Sequence, residues 1–104
     1  SRGGMVTDSL VSPGSIVYGS VTHSVLGPSV RIREASDVSD SILMSGVQVG
    51  RNVRIRRAII EKNVVIPDDT TIGFDEHEDE KNGCVIAPSG IRILPERTIA
   101  TALS

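Results

Sequence analysis

Aliphatic residues in this 104-residue chain recur at spacings of six, six and five residues. The repeated positions all hold leucine, isoleucine or valine: Leu26, Ile32, Val38, Leu43, Val49, Ile55, Ile60, Ile66 and Ile72. An amphipathic helix needs apolar residues three or four apart, and a single strand needs strict alternation, so neither explains the pattern. Three steps add up to seventeen residues, which predicts a chain that returns to the same place after every third step.

The residue two positions before each aliphatic is small or β-branched. These residues are Ser24, Val30, Ser36, Ser41, Val47, Val53, Ala58, Val64 and Thr70. Because residues two apart in a strand point to the same side, each step contributes one large and one small inward side chain. We therefore predict an all-β fold, a three-sided parallel β-solenoid of about four coils. Its narrow interior agrees with the scarcity of aromatic residues, which are only Tyr18 and Phe74.

We predict one domain over residues 1–104, divided according to where this repeat begins and ends. Its parts are a lead-in (1–7), the coils (8–73), an acidic loop (74–83), terminal strands that cap the solenoid (84–95) and a tail (96–104). Residues 9–11 precede the matching residues 24–26 by fifteen positions instead of seventeen. The first coil should therefore have a shortened corner, which we place at Pro13–Gly14.

One outward column of the predicted solenoid is apolar. It consists of Leu10, Val25, Ile42 and Ile59, which we call the apolar stripe. An aligned column of exposed aliphatic residues usually marks a surface that binds a partner. Either the C-terminal tail or another domain or subunit would cover the stripe, and we favour the second.

Positive charge is concentrated in one segment, where five basic residues lie within twelve positions. These are Arg51, Arg54, Arg56, Arg57 and Lys62. Guanidinium groups can bind phosphate through paired hydrogen bonds. From the residues alone, a solvated basic face with ordinary surface ion pairs is the simpler explanation.

The sequence predicts no catalytic residues and no metal site. The only histidines are His23 and His77, whereas a solenoid zinc site of the carbonic anhydrase type needs three. Cys84 has no neighbouring base and begins a predicted strand, so we expect it to be buried. No phosphate-binding loop or Gly-rich nucleotide motif is present.

Bulk composition excludes further classes of function. The net charge of −2 does not predict binding to nucleic acid or to an anionic membrane. No long apolar run predicts a membrane span. A single cysteine precludes an internal disulfide and fits a reducing cytoplasm.

Three stretches carry a resemblance to a known family. They are "DSLVSPGSIVYGSVTHSVL" (8–26), "VQVGRNVRIRRAIIEKNVVIP" (47–67), and "IGFDEHEDE" followed by "SGIRIL" (72–94). The repeat is similar to the hexapeptide family of left-handed parallel β-helices, and the left hand is implied by that likeness alone. Within it, the stretches resemble the C-terminal domain of the glucose-1-phosphate adenylyltransferases (ADP-glucose pyrophosphorylases).

That resemblance implies a parent enzyme of glycogen biosynthesis, which converts ATP and glucose 1-phosphate to ADP-glucose and pyrophosphate with Mg²⁺. In this family the chemistry belongs to an N-terminal nucleotidyltransferase domain. The chain itself would then need no cofactor and would be inactive alone. It would pack on the catalytic domain, help to build a homotetramer, and line a cleft that binds sugar-phosphate or AMP effectors.

The same resemblance selects candidate effector-binding residues. Lys62 stands where family members carry a basic residue that faces the effector, and Arg54, Arg56, Arg57 and Arg97 are further candidates. Family members often place an arginine directly after the terminal strand, where this chain has Glu96. The identity of the effector therefore does not follow from the resemblance.

A second reading belongs to another class of protein, a stand-alone trimeric hexapeptide-repeat acyltransferase or a structural solenoid. Such acyltransferases place a catalytic histidine between subunits, and His23 is the only candidate on a regular coil. A trimer in solution would favour this alternative.

Overall fold

The structure is a computed structural model that describes residues 4–96. Its strands form three sheets, one for each side of the predicted coil. Sheet A contains β1 (Met5–Thr7), β4 (Ser20–Thr22), β7 (Asp37–Ser39), β10 (Arg54–Arg56) and β13 (Thr71–Ile72). Sheet B contains β2 (Leu10–Val11), β5 (Val25–Leu26), β8 (Ile42–Leu43), β11 (Ala58–Ile60), β14 (Val85–Ile86) and β15 (Arg92–Leu94). Sheet C contains β3 (Ile16–Val17), β6 (Arg31–Ile32), β9 (Gln48–Val49) and β12 (Val65–Ile66).

Consecutive coils pair in parallel with matching columns in register, which confirms the predicted solenoid. Val21 pairs with Val38, Val38 with Ile55, and Ile55 with Ile72 in sheet A. All nine of the repeated aliphatics are buried, as are the small residues two positions before them apart from Thr70, which is half-buried in the last coil. The core is therefore a stack of aliphatic layers, in which each side chain lies above its counterpart in the preceding coil.

Serine hydroxyls connect neighbouring coils inside this core. Ser24 Oγ donates to Thr22 O at 2.9 Å and accepts from the backbone N–H of Ser41 at 3.1 Å. Ser41 Oγ repeats this arrangement one coil later, with Ser39 O and the N–H of Ala58. Buried hydroxyls are costly unless they form hydrogen bonds, so these serines both occupy the small inward positions and pair the backbone at the corners.

Each coil turns at corners where one residue adopts the left-handed backbone conformation. At the corner between sheets A and B, the A–B corner, these residues are Asp8, His23, Asp40 and Arg57, with φ between +50° and +51°. The B–C corner uses Gly14, Ser29, Gly46 and Asn63, and the C–A corner uses Ala35, Asn52 and Asp69. The positive φ is thus a property of the coil, and it stacks the corner side chains into outward columns.

The shortened corner of the first coil lies at Tyr18–Gly19, so its predicted position at Pro13–Gly14 is wrong. Val17 pairs with Ile32 at an offset of fifteen residues, whereas Ser20 already pairs with Asp37 at an offset of seventeen. Two residues are therefore missing between Val17 and Ser20. Gly19 fits this tight corner because a Cβ atom there would collide with the backbone carbonyl oxygen of Ser36.

Two terminal segments differ from the predicted organisation. The predicted lead-in (1–7) contains β1, which pairs in parallel with β4, so the solenoid already begins within this segment. The stretch predicted as an acidic loop contains a helix, α1 (Glu76–Lys81), whose N-cap Asp75 accepts a hydrogen bond from the N–H of Glu78 at 3.0 Å. A capping carboxylate and acidic residues in the first turn stabilise a helix N-terminus, which explains why this acidic run is helical.

The helix and the terminal strands cap the last coil through a buried ion pair. Asp79, on α1, is fully buried, and its Oδ2 accepts from Arg92 Nε at 2.6 Å and from the N–H of Gly73 at 2.9 Å. Strand β14 pairs antiparallel with β15, which continues sheet B beside β11. Cys84, at the start of this hairpin, is buried as predicted. The cap therefore joins α1, the end of sheet A and the end of sheet B.

Replacing Ile55 by alanine should lower the free energy of unfolding by roughly 2–5 kcal/mol, because a cavity would form in the middle of the aliphatic stack. Urea denaturation measures this change. Val65→Ala is the matched control, since Val65 is an exposed aliphatic on a neighbouring sheet, and it should change stability by less than about 0.5 kcal/mol. Equal effects of the two substitutions would contradict the inward and outward assignment.

Replacing Asp79 by alanine should cost about 3–5 kcal/mol of stability, because it leaves Arg92 as an uncompensated buried charge. Hydrogen exchange should show the loss first in α1 and the β14–β15 hairpin. Glu80→Ala removes an exposed carboxylate from the same helix and serves as the control. A small, equal effect of both would show that the ion pair does not hold the cap.

Candidate functional site

The apolar stripe lies on the outer face of sheet B. Backbone pairing places Leu10 beside Val25, Val25 beside Ile42, and Ile42 beside Ile59. Leu10, Val25 and Ile42 are 71%, 41% and 44% exposed, and Ile59 is half-buried. Sheet B is parallel apart from the antiparallel strand β14 at its end. The stripe is therefore a continuous apolar column on this sheet, and most of its length is open to solvent.

The structure adds Ile93 to the stripe. Ile93 pairs directly with Ile59 because β15 takes the next position in sheet B. Sequence reasoning missed it because the regular coils end at Gly73, and α1 and β14 occupy the second of the two repeat lengths that separate the two isoleucines. The signal in the sequence was "GIRIL" (90–94), where isoleucines alternate with other residues as in a strand.

A shallow groove follows the edge of the stripe along the A–B corner. Two open cavities of about 610 and 310 Å³ share His23, Asp40 and Ile42 in their walls. One side of the groove is therefore apolar, and the other carries the corner column, which reads Asp8, His23, Asp40 and Arg57. Such a surface can accept a segment with both apolar and charged side chains.

His23 is paired with a carboxylate, and the serine hydroxyls that the structure describes around it are already hydrogen-bonded. Its Nδ1 lies 2.8 Å from Asp40 Oδ1. The hydroxyls of Ser9, Ser24 and Ser41, which line the same groove, donate to backbone carbonyls of the coil. A histidine–carboxylate pair without an available hydroxyl or thiol does not make a nucleophilic site.

The arginines form a group on sheet A and at the adjoining corner. Phe74 lies between Arg54 and Arg56, whose guanidinium carbons are 4.5 and 4.2 Å from the ring centroid. Arg57 Nη2 donates to Ser89 O at 3.0 Å. Within residues 4–96, none of these three arginines has a carboxylate partner. The structure therefore brings together three of the predicted effector-binding residues.

The other two predicted residues do not join this group. Lys62 is exposed next to Asn63 at the B–C corner, so strand β11 separates it from Arg57. Arg97 lies outside the described residues. Of the predicted effector residues that the structure describes, Arg54 and Arg56 lie on β10, Arg57 at the A–B corner and Lys62 at the B–C corner.

Arg92 is the basic residue that the sequence did not select. Its guanidinium is almost fully buried, and it lines a cavity of about 430 Å³ together with Arg56 and Arg57. Sequence reasoning missed it because neither residue stands out from its neighbours: Arg92 belongs to a predicted terminal strand, and Asp79 is one of many acidic residues in a predicted loop. Only the packing of α1 against β15 brings them together.

The part of the chain that the structure describes offers neither a metal site nor a membrane-spanning helix. No group of three or more His, Cys, Asp or Glu side chains within residues 4–96 is arranged to hold a metal ion. No helix in this part of the chain is long and apolar enough to cross a membrane.

The hydrogen bond to Asp40, supported by the negative charges of Asp40 and Asp8, raises the pKa of His23 above its ordinary value. Because the folded-state pKa is raised, the stabilisation is fully present below the ordinary pKa of histidine and is lost as pH rises through the raised value. In an NMR titration His23 should therefore titrate at higher pH than in an unfolded peptide. Asp40→Asn should shift its pKa back down, and an unchanged pKa in that variant would contradict the pairing.

Comparison with known proteins identifies the family. A family model described as GlmU-like, C-terminal hexapeptide, matches residues 1–94. The chain is 48% identical over 99 residues to a glucose-1-phosphate adenylyltransferase of Bifidobacterium adolescentis, and the match covers 94% of the chain and 24% of the relative. It is 51% identical over 94 residues to the enzyme of that name from Geobacter metallireducens, covering 89% of the chain and 23% of the relative.

A more distant relative of the same name gives the same picture. The glucose-1-phosphate adenylyltransferase of Rhodopirellula baltica is 45% identical over 95 residues, which cover 90% of the chain and 21% of that protein. The chain thus spans about a quarter of the length of these relatives and corresponds to their C-terminal region. Together with the repeat and the three-sheet solenoid, these matches show that the chain belongs to the GlmU-like C-terminal hexapeptide family.

Proposed function

We propose that this chain is the regulatory and assembly domain of a glucose-1-phosphate adenylyltransferase of glycogen biosynthesis. The observation that carries the proposal is the apolar stripe, a column of exposed aliphatic residues on a chain that matches only a quarter of its relatives. An exposed aliphatic column of this kind is costly in water and is typical of a surface that another domain covers. The occupant is the N-terminal nucleotidyltransferase domain of the parent protein.

Catalysis belongs to that other domain in this proposal. The described residues offer a histidine–carboxylate pair without a nucleophile and no cluster of metal ligands. ATP, glucose 1-phosphate and Mg²⁺ would therefore be bound by the nucleotidyltransferase domain, and the isolated chain would be inactive. The single cysteine, which is buried and forms no internal disulfide, fits a protein of the reducing cytoplasm.

The regulatory part of the proposal concerns the last coil. Lys62 at the B–C corner, with Arg97, would face an anionic sugar-phosphate or AMP effector in a cleft against the catalytic domain. Arg54, Arg56 and Arg57 would contribute positive charge from the opposite corner of the same coil. Because Lys62 and the three arginines lie on either side of sheet B, a domain docked on the stripe would border both. The parent would be a homotetramer.

Ile42→Glu should weaken association with a separately expressed family nucleotidyltransferase domain by about tenfold or more, because docking would bury an unpaired charge. Sedimentation equilibrium of the mixture measures the affinity. Gln48→Glu adds the same charge on sheet C of the same coil, at an exposed outward position, and should leave the affinity unchanged.

Two outcomes would contradict the proposal. Unfolding of the Ile42→Glu chain alone would show that the stripe is part of the core. A tight trimer that ignores the nucleotidyltransferase domain would favour the stand-alone acyltransferase or structural solenoid.

A further inference from the structure

Three arginines converge on one cavity at the A–B corner of the last coil. The cavity, of about 430 Å³, is lined by Arg56, Arg57 and Arg92, by Phe74, by the backbone at Gly73 and Gly90, and by Asp40. These residues come from β10, the following corner, the segment before α1, and the β14–β15 hairpin. The cavity therefore exists only when the cap is in place on the last coil.

Each guanidinium is held in position by backbone or ring contacts. Arg56 Nε donates to Gly73 O at 2.8 Å, and its guanidinium carbon lies 4.2 Å from the centroid of the Phe74 ring. Arg57 Nη2 donates to Ser89 O at 3.0 Å. Arg92 is fixed by Asp79 through Nε and by Gly90 O through Nη1, at 2.6 and 2.8 Å.

These contacts leave hydrogen-bond donors for a ligand. A guanidinium has five N–H donors, and Arg56 and Arg57 each use one of them in bonds to the described residues. Holding long side chains in place before binding lowers the entropy that a ligand must overcome. The arrangement is therefore a set of oriented donors and not a group of freely moving surface arginines.

Positive charge around the cavity exceeds the negative charge. The charge of Arg92 is balanced by Asp79, whose Oδ2 lies 2.6 Å from Arg92 Nε in the buried cap. Arg56 and Arg57 have no carboxylate partner within residues 4–96. Asp40 is the only carboxylate in the cavity wall, and it is already hydrogen-bonded to His23.

Gly90 lines the cavity beside Arg57. Its φ of +93° disfavours any other residue, and a Cβ atom there would be in ordinary van der Waals contact, 3.8 Å from both Nη1 and Nη2 of Arg57. The hairpin turn at Gly90 therefore lies directly beside the guanidinium of Arg57.

We infer that this cavity is a binding site for a tetrahedral oxyanion, either inorganic phosphate or the terminal group of a phosphate monoester. Planar guanidinium groups pair with phosphate oxygens through two hydrogen bonds at once. The stacked Phe74 ring fixes one of the two unpaired guanidiniums, and the corner fixes the other. The site lies at the opposite corner from Lys62 but uses Arg56 and Arg57, so the inference rests on the regulatory part of the proposed function and gives that basic surface a location and a ligand.

The test is an NMR titration of the full chain with inorganic phosphate, and then with glycerol 3-phosphate, at constant ionic strength. We expect saturable shifts of the backbone amides of Gly73, Phe74 and Gly90 at millimolar ligand. Arg57→Ala should weaken binding at least about tenfold, as expected for loss of a charge-assisted bidentate contact. Arg57→Lys should also weaken it, because it keeps the charge but not the fork of donors.

Arg31→Ala is the matched control, since Arg31 is an exposed arginine on sheet C without an ion pair among the described residues. It should leave the dissociation constant unchanged. Equal weakening by both alanine variants would show non-specific attraction, and unsaturable shifts would show that the cavity does not bind phosphate specifically. Either result would overturn the inference, and neither would change the outcome of the docking experiment on sheet B.

Discussion

Parallel pairing between consecutive coils is the constraint from which the rest of the structure follows. When each strand pairs in register with the strand one coil earlier, residues one repeat apart are forced into contact. The interior must then consist of side chains that pack against copies of themselves, which β-branched and leucine side chains do well in a narrow space. At the corners, where the sheets cannot pair the backbone, serine hydroxyls accept hydrogen bonds from backbone N–H groups of the next coil.

The same stacking converts short sequence features into long surfaces. One exposed aliphatic residue per coil is unremarkable, but five in register give an apolar column along sheet B: Leu10, Val25, Ile42, Ile59 and Ile93. One left-handed corner residue per coil gives a column of charged side chains along its edge. The arginine cavity adjoins the docking surface at the A–B corner of the last coil, because Asp40 and Arg57 line both the cavity and the groove beside the stripe.

The sequence was sufficient to predict everything that the repeat determines. The nine aliphatic positions, the parallel coils and the outward stripe of Leu10, Val25, Ile42 and Ile59 follow from spacing alone, because a periodic chain has few ways to bury its periodic residues. The shortened corner could not be placed, since an offset of fifteen residues gives the length of the coil but not which corner loses the two residues. Glycine at position 19, whose Cβ would meet the backbone of the next coil, was the only local signal.

Neither the cap nor the arginine cavity could be predicted from the repeat. Asp79 and Arg92 are thirteen residues apart, in segments without periodicity, and nothing in the sequence indicates that one carboxylate among many acids is fully buried. Arg54, Arg56 and Arg57 were recognisable as a basic cluster, but their common contact with Phe74 and the cap depends on how α1 folds back. Lys62, which the family resemblance ranked first, is placed by the coil at a different corner.

The most direct test of the central claim is hydrogen exchange of this chain with and without a family nucleotidyltransferase domain. If sheet B is the docking face, amides of β5, β8 and β11 and of the A–B corner should become protected in the mixture. The amides of β6, β9 and β12 in sheet C should exchange as before. Protection concentrated on sheet C, or no change anywhere at concentrations that saturate binding, would contradict the account.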